Sequence, residues 1–117
     1  MPTFILHYNL PNIKSNKLGV LQGCARSILS EEIGKSPDFV LTMINFCENM
    51  SFGDSPAYCA FVEVKNVGKI NPEITSLISK RLCSLISDFL EIEEEKIYIE
   101  FQESERHLWG WDGKTFD

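Results

Sequence analysis

Apolar and polar residues alternate from position 3 to position 10. Phe4, Leu6, Tyr8 and Leu10 fall on one side of an extended chain, and Thr3, Ile5, His7 and Asn9 on the other. A period of two predicts a strand over residues 3–10, ended by Pro11-Asn12. From residue 15 to residue 33 the period lengthens. Leu18, Leu21, Ala25, Ile28, Leu29 and Ile33 trace the apolar stripe of an amphipathic helix. Gly34 sits where a helix C-terminal glycine belongs, and Pro37 stops any continuation.

Residues 39–47 are rich in β-branched and aromatic side chains, which predicts a largely buried second strand. A loop over 48–56 leads to a third strand over 58–64, and 65–69 reads as a turn or connection. Asn71-Pro72-Glu73 is a helix start: Asn71 caps free N–H groups, Pro72 suits the first helical position, and Glu73 faces the positive end of the dipole. The stripe that follows is Ile74, Leu77, Ile78, Leu82, Leu85, Ile86 and Phe89. An acidic connection over 91–95 precedes a fourth strand over 96–102, with Ile97, Ile99 and Phe101 on one face and Tyr98, Glu100 and Gln102 on the other.

The order is therefore strand–helix–strand, twice. This is an α/β (α+β) chain of two βαβ units that share one four-stranded mixed sheet. Right-handed crossovers put both helices on the same face. The other face is left bare, with Tyr58, Tyr98 and Phe101 as candidate residues on it. Self-association is the simplest cover for such a face.

Length and composition narrow the class. The 117 residues make a single domain over 1–117, and 44% of them are hydrophobic, enough for a core of its own. The net charge of −6 argues against nucleic acid or an anionic membrane as partner. No apolar run is long enough to cross a bilayer, and residues 1–8 lack the basic and apolar regions of a signal peptide. The expected location is the cytoplasm, with non-classical secretion left open. The four cysteines, Cys24, Cys47, Cys59 and Cys83, form no CxxC pair and read as reduced thiols in or near the core. His7 and His107 have no zinc-ligand spacing.

The last fourteen residues hold Trp109, Trp111 and Phe116, including both tryptophans of the chain. Two roles suit these rings: plugging the end of the core, or lining an apolar pocket.

Six short strings carry a resemblance. They are Met1-Pro2 before an apolar strand, Gly34-Lys35-Ser36-Pro37-Asp38-Phe39, Met50-Ser51-Phe52-Gly53, Asn66-Val67-Gly68-Lys69-Ile70, Lys96-Ile97-Tyr98-Ile99, and Trp109-Gly110-Trp111-Asp112-Gly113-Lys114-Thr115-Phe116. In this order and spacing the whole chain resembles the macrophage migration inhibitory factor family of the tautomerase superfamily, and its microbial members in particular. The resemblance implies the double-βαβ fold, a homotrimer around a central channel, and active sites at the subunit interfaces. The implied reaction is keto–enol isomerisation of small aromatic α-keto acids such as phenylpyruvate, or of dopachrome-type compounds, with no metal or organic cofactor.

The resemblance also implies roles for particular residues. Pro2, freed by removal of Met1, becomes a secondary amine that acts as the general base. An apolar pocket and a nearby cation lower its pKa toward working pH. Lys35 is that cation, and it also binds substrate oxygen and stabilises the developing enol. Its place after a helix C-terminus equally suits the dipole. Val67 offers a backbone N–H to substrate oxygen, and Asn66 adjoins it as a supporting residue of the binding site. Tyr98 reaches in from the neighbouring subunit. Phe39, Trp109, Trp111 and Phe116 complete an aromatic wall.

Glu100 departs from the pattern, because mammalian members carry asparagine there. An ionised carboxylate donates no hydrogen bond. Either it faces the site, repelling acidic substrates or raising the Pro2 pKa, or it points away as a solvated strand residue. The CxxC pair of the mammalian cytokines is also missing: the matching stretch is Cys59-Ala60-Phe61-Val62. The alternative to an enzyme is a cytokine-like or other binding module with a vestigial pocket.

Overall fold

The computed structural model describes residues 1–117, and its first strand begins two residues from the amino terminus. Strand β1 spans Thr3–Tyr8, helix α1 Ser15–Ile33 and strand β2 Leu41–Phe46. Strand β3 spans Ala60–Val67, helix α2 Pro72–Leu90 and strand β4 Ile97–Ser104. The sheet order is β2-β1-β3-β4. Within each βαβ unit the strands are parallel, β1 with β2 and β3 with β4, and the units meet through antiparallel β1 and β3.

The two helical stripes define the core. Leu21, Ala25, Ile28 and Leu29 of α1 and Ile78, Leu82, Ile86 and Leu90 of α2 are buried against Phe4, Leu6, Tyr8, Val62 and Val64. Each fully buried Leu or Ile contributes about 1.5–3 kcal/mol. Arg81 ties the helices together at the surface, donating to Glu31 and Glu32 at 2.9 Å each. Asn71 caps α2 by accepting from the Ile74 N–H at 2.9 Å. Gly34 ends α1 in the left-handed region at φ 79°. No helix is long and apolar enough to cross a membrane.

Several boundaries differ from the sequence pattern. Strand β1 stops at Tyr8, not Leu10, because the Asn9 side chain leaves the ladder to accept from Cys59 N–H and donate to Met50 O. Pro37–Phe39 form a 3₁₀ turn rather than the start of β2. Residues 65–67 are no turn: β3 continues through Val67, and the chain turns at Gly68, where φ is 105°. The polar pair Lys65-Asn66 hid this extension, because the two side chains still obey the alternation. Tyr58 precedes β3, and Phe101 packs on the helix side, so neither belongs to the bare face of the sheet. Residues 94–96 form a 3₁₀ turn, and β4 runs on to Ser104.

The expected burial of β2 is not met within one chain. It is an edge strand, and Leu41 (56%), Met43 (42%) and Phe46 (50%) are exposed. On the bare face the registers build three rows: Leu41, Thr3, Lys65, Gln102; Met43, Ile5, Glu63, Glu100; and Asn45, His7, Phe61, Tyr98. His7 Nε2 lies 2.8 Å from Glu63 Oε2, and its ring stacks on Phe61.

Candidate active site

The sheet itself fixes the amino terminus. Pro2 is buried at the start of β1, and its carbonyl accepts from Leu41 N–H at 3.2 Å. The end of α1 then delivers a cation to the same place. The left-handed Gly34 turns the chain, its N–H and that of Lys35 both donate to Ser30 O, and Ser30 Oγ donates to Lys35 O. Ser36 Oγ accepts from Asp38 N–H at 3.2 Å and starts the 3₁₀ turn that carries Phe39.

The carboxy-terminal residues close the site. Strands β5 (Gly110–Trp111) and β6 (Lys114–Thr115) form a hairpin turned by Asp112 and Gly113, both at positive φ (53° and 79°). A two-residue Asp-Gly loop with both residues left-handed matches the twist of a tight hairpin. Phe116 N–H donates to Trp109 O at 3.2 Å, which sets the second ring against the hairpin. Trp111 meets Phe39 edge-on at 5.8 Å and stacks on Phe116 at 6.3 Å. The tail therefore lines a pocket and does not plug the core: Trp111 is 53% exposed. The cavity, about 380 Å³, is bounded by Met1, Thr3, Phe39, Trp109, Trp111 and Phe116, with Asp38 the acidic group among its lining residues.

The amine at the head of the chain, carried here by Met1, is held below its usual pKa. Partial burial is the larger cause, and the positive charge of Lys35 adds to it. Both disfavour the ammonium form.

Pro2, Lys35, Phe39, Trp109, Trp111 and Phe116 are thus gathered at one end of the sheet. Asn66 and Val67 reach the same end on β3 and are buried at 1% and 8% exposure. Gly68 N–H donates to Ser104 O at 3.0 Å and closes that edge. Tyr98 and Glu100 lie elsewhere within one chain. Tyr98 sits near the opposite end of the sheet, 65% exposed, with its ring 4.7 Å from that of Phe52. Glu100 is an exposed residue of the bare face, in register with Glu63.

Met1, Thr3, Asp38, Val40 and Leu41 also line the pocket, and the sequence pattern did not pick them out. Asp38 belongs to the segment 34–39 that follows α1, whereas Thr3 and Leu41 look like any other strand positions. A second recess of about 210 Å³ is bounded by Met50, Phe52, Cys59, Phe61 and Tyr98, with Lys96 Nζ 5.3 Å above the Phe52 ring. All four cysteines are free. Burial pushes the Cys59 thiol above its usual pKa, which suits packing and not reactivity.

Two βαβ units, with the amino terminus in an aromatic pocket and under the charge of Lys35, define a small α/β protein with a candidate site at one end of its sheet. The profile of the macrophage migration inhibitory factor family matches residues 1–117. The chain is 31% identical over 116 residues to macrophage migration inhibitory factor of Meriones unguiculatus, covering 99% of each sequence. It is 28% identical to the homolog from Brugia malayi, again over 99% of both. Among solved structures, the homologue from Prochlorococcus marinus aligns with a TM-score of 0.89 at 30% identity, covering 98% of this chain and 99% of that one. The chain belongs to the macrophage migration inhibitory factor family. Membership supports a role of that family's kind, tautomerase or cytokine-like.

Proposed function

We propose that the processed chain is a keto–enol tautomerase of the phenylpyruvate type, with the Pro2 amine as general base. The observation that carries this reading is the amino terminus itself. The Met1 amine there lies in an aromatic pocket with its pKa lowered by burial and by Lys35, and removal of Met1 would leave the Pro2 amine at the same end of the sheet under the same charge. A base that is neutral near physiological pH can take a proton from carbon. In the reaction, Pro2 N accepts the proton from the carbon next to the substrate carbonyl. The electron pair moves to the carbonyl oxygen, where Lys35 and the Val67 N–H stabilise the charge. The proton is then delivered from the ammonium to oxygen, giving the enol, and the reverse path gives the ketone.

The active assembly is a homotrimer located in the cytoplasm, in which Tyr98 and Glu100 of one chain border the neighbour's pocket. Support comes from the exposure of Leu41, Met43 and Tyr98 and from the bare sheet face they share with Ile5. The test is a phenylpyruvate keto–enol assay on protein whose intact mass lacks Met1. Pro2→Gly should slow turnover by roughly 10²–10⁴-fold. A wild-type rate equal to that of the variant would end the enzymatic reading.

A further inference from the structure

Asn66 is 1% exposed, and its Oδ1 is the one buried side-chain polar atom of the chain that has no hydrogen-bond partner. Buried acceptors are almost always satisfied, so an orphan calls for a missing donor. Exchanging the amide's two ends does not remove the problem. Nδ2 points at Gly68 O, 3.5 Å away, and an oxygen in its place would set two acceptors face to face.

The sheet register says which residue stands opposite Asn66. Thr3 is paired with Lys65 across antiparallel β1 and β3. One further step sets Pro2 opposite Asn66, and both residues are buried. The Pro2 carbonyl accepts from Leu41 N–H, so it turns toward β2 and away from β3, while the N–C bond to Met1 runs on along the strand. Pro2 and Asn66 therefore form the close, non-hydrogen-bonded kind of antiparallel pair, with Cα atoms about 4.5 Å apart and side chains on one face. The Asn66 amide leans toward Gly68, which in an antiparallel pair is the direction of Met1.

While Met1 is attached, Pro2 N is a tertiary amide and carries no hydrogen. Removal of Met1 turns it into a secondary amine with one N–H when neutral and two when protonated. Processing thus creates a donor on the residue that the register sets opposite a buried acceptor lacking one. We infer that Asn66 Oδ1 accepts a hydrogen bond from the Pro2 amine of the processed chain and holds that nitrogen with its lone pair toward the aromatic pocket. Asn66 is then a positioning residue, acting through Pro2. The inference rests on the reading of Pro2 as the catalytic base, and it deepens that reading. It also gives the short polar residue at position 66 a purpose in a strand whose neighbours on that face, Val62 and Val64, are core valines.

An acceptor on the amine favours its ammonium form and opposes the effect of Lys35. The charged groups facing this end of β1 are Lys35, from the chain after α1, Asp38, from the 3₁₀ turn, and Lys65 of β3, paired with Thr3 and donating to Gln102 on the bare face. The lining residues Trp109, Gly110, Trp111 and Phe116 bring no titratable side chain, and on the helix side β3 brings Asn66 itself.

The experiment is an NMR titration of the Pro2 nitrogen in full-length, ¹⁵N-proline-labelled protein whose intact mass lacks Met1. Asn66→Leu should lower the amine pKa by roughly half a pH unit, and Asn66→Asp should raise it. Asn66→Ser, which keeps an acceptor, should stay near wild type, and it and Asn66→Asp carry the test if Asn66→Leu does not fold. The acidic limb of the phenylpyruvate pH–rate profile should move with the titration. Leu and Asp variants that fold, yet leave the titration unmoved or shift it in the same direction, overturn the inference. An Asn66-dependent titration without phenylpyruvate turnover defeats the tautomerase reading and leaves the hydrogen bond standing. Turnover without Asn66 dependence does the reverse.

Discussion

Lys35 has two separable effects on the site, and a single substitution reads both. Its charge disfavours protonation of the amine at the chain start, second only to burial as a cause of the lowered pKa. It also supplies a cation for substrate oxygen in the proposed reaction. Lys35→Met removes the charge and keeps most of the stem. The amine pKa should rise toward the ordinary 8.0 of a chain terminus. Because the base works only when neutral, the acidic limb of the pH–rate profile should move to higher pH. Above that limb, loss of a charge-assisted contact should lower kcat/KM by about 10–100-fold. The same sign governs folding. The unfolded amine protonates first as pH falls below 8.0, so the folded chain loses stability from there down through the lowered native pKa. Urea unfolding of wild type and Lys35→Met across that window should converge at high pH and separate below it, with wild type losing more.

At the scale of elements, the carboxy-terminal hairpin decides the shape of the pocket. Gly113 has φ of 79° and open space where a Cβ would stand, so a substitution there costs through backbone conformation and not through a clash. Gly113→Val should cost roughly 1–2 kcal/mol locally. It should loosen Trp111 and raise KM for an aromatic substrate more than it lowers kcat. The helices were readable because burial is recorded in their own spacing: residues 15–33 gave α1 to the residue, and Asn71 gave the start of α2. Strand ends were harder. Lys65 looked like turn material, yet its Nζ donates to Gln102 on the bare face while Asn66 is buried on the other. The pocket was legible only through resemblance. Pro2, Lys35 and Trp111 meet by topology, and no local period links a chain start, a helix end and a tail hairpin. Thr3 and Leu41 carry no chemical signal at all. Asn66 was readable as a neighbour of Val67 but not as an unsatisfied acceptor, because satisfaction depends on what the sheet places opposite it.

At the scale of the whole molecule, the exposure of the apolar strand β2 is informative. Its residues are apolar on both faces, but one chain leaves Leu41 and Met43 on the bare face, and Phe46 at the strand end, about half exposed. Sequence composition thus records a cover that a single chain lacks, and a second copy is the cover we propose. The separation of Tyr98 from the Pro2 pocket within one chain turns that proposal into a sharper test. If each site takes Pro2 from one subunit and Tyr98 from the next, two defective chains can restore each other. Pro2→Gly and Tyr98→Ala proteins, each far less active alone, should be unfolded together and refolded as a mixture. Random assembly of equal amounts into a cyclic trimer gives about one site in four an intact Pro2 facing an intact Tyr98. Phenylpyruvate turnover should then recover to about a quarter of the wild-type rate per chain. Sedimentation velocity should show the mixture at the size of three chains. A trimer that regains no activity would place Tyr98 outside the neighbour's site, and a monomer would remove the shared site altogether. Met43→Arg sets a charge in the middle row of the bare face, beside Ile5. In the same mixture it should abolish both the assembly and the recovery, which ties the regained activity to that face and not to residual turnover by either variant.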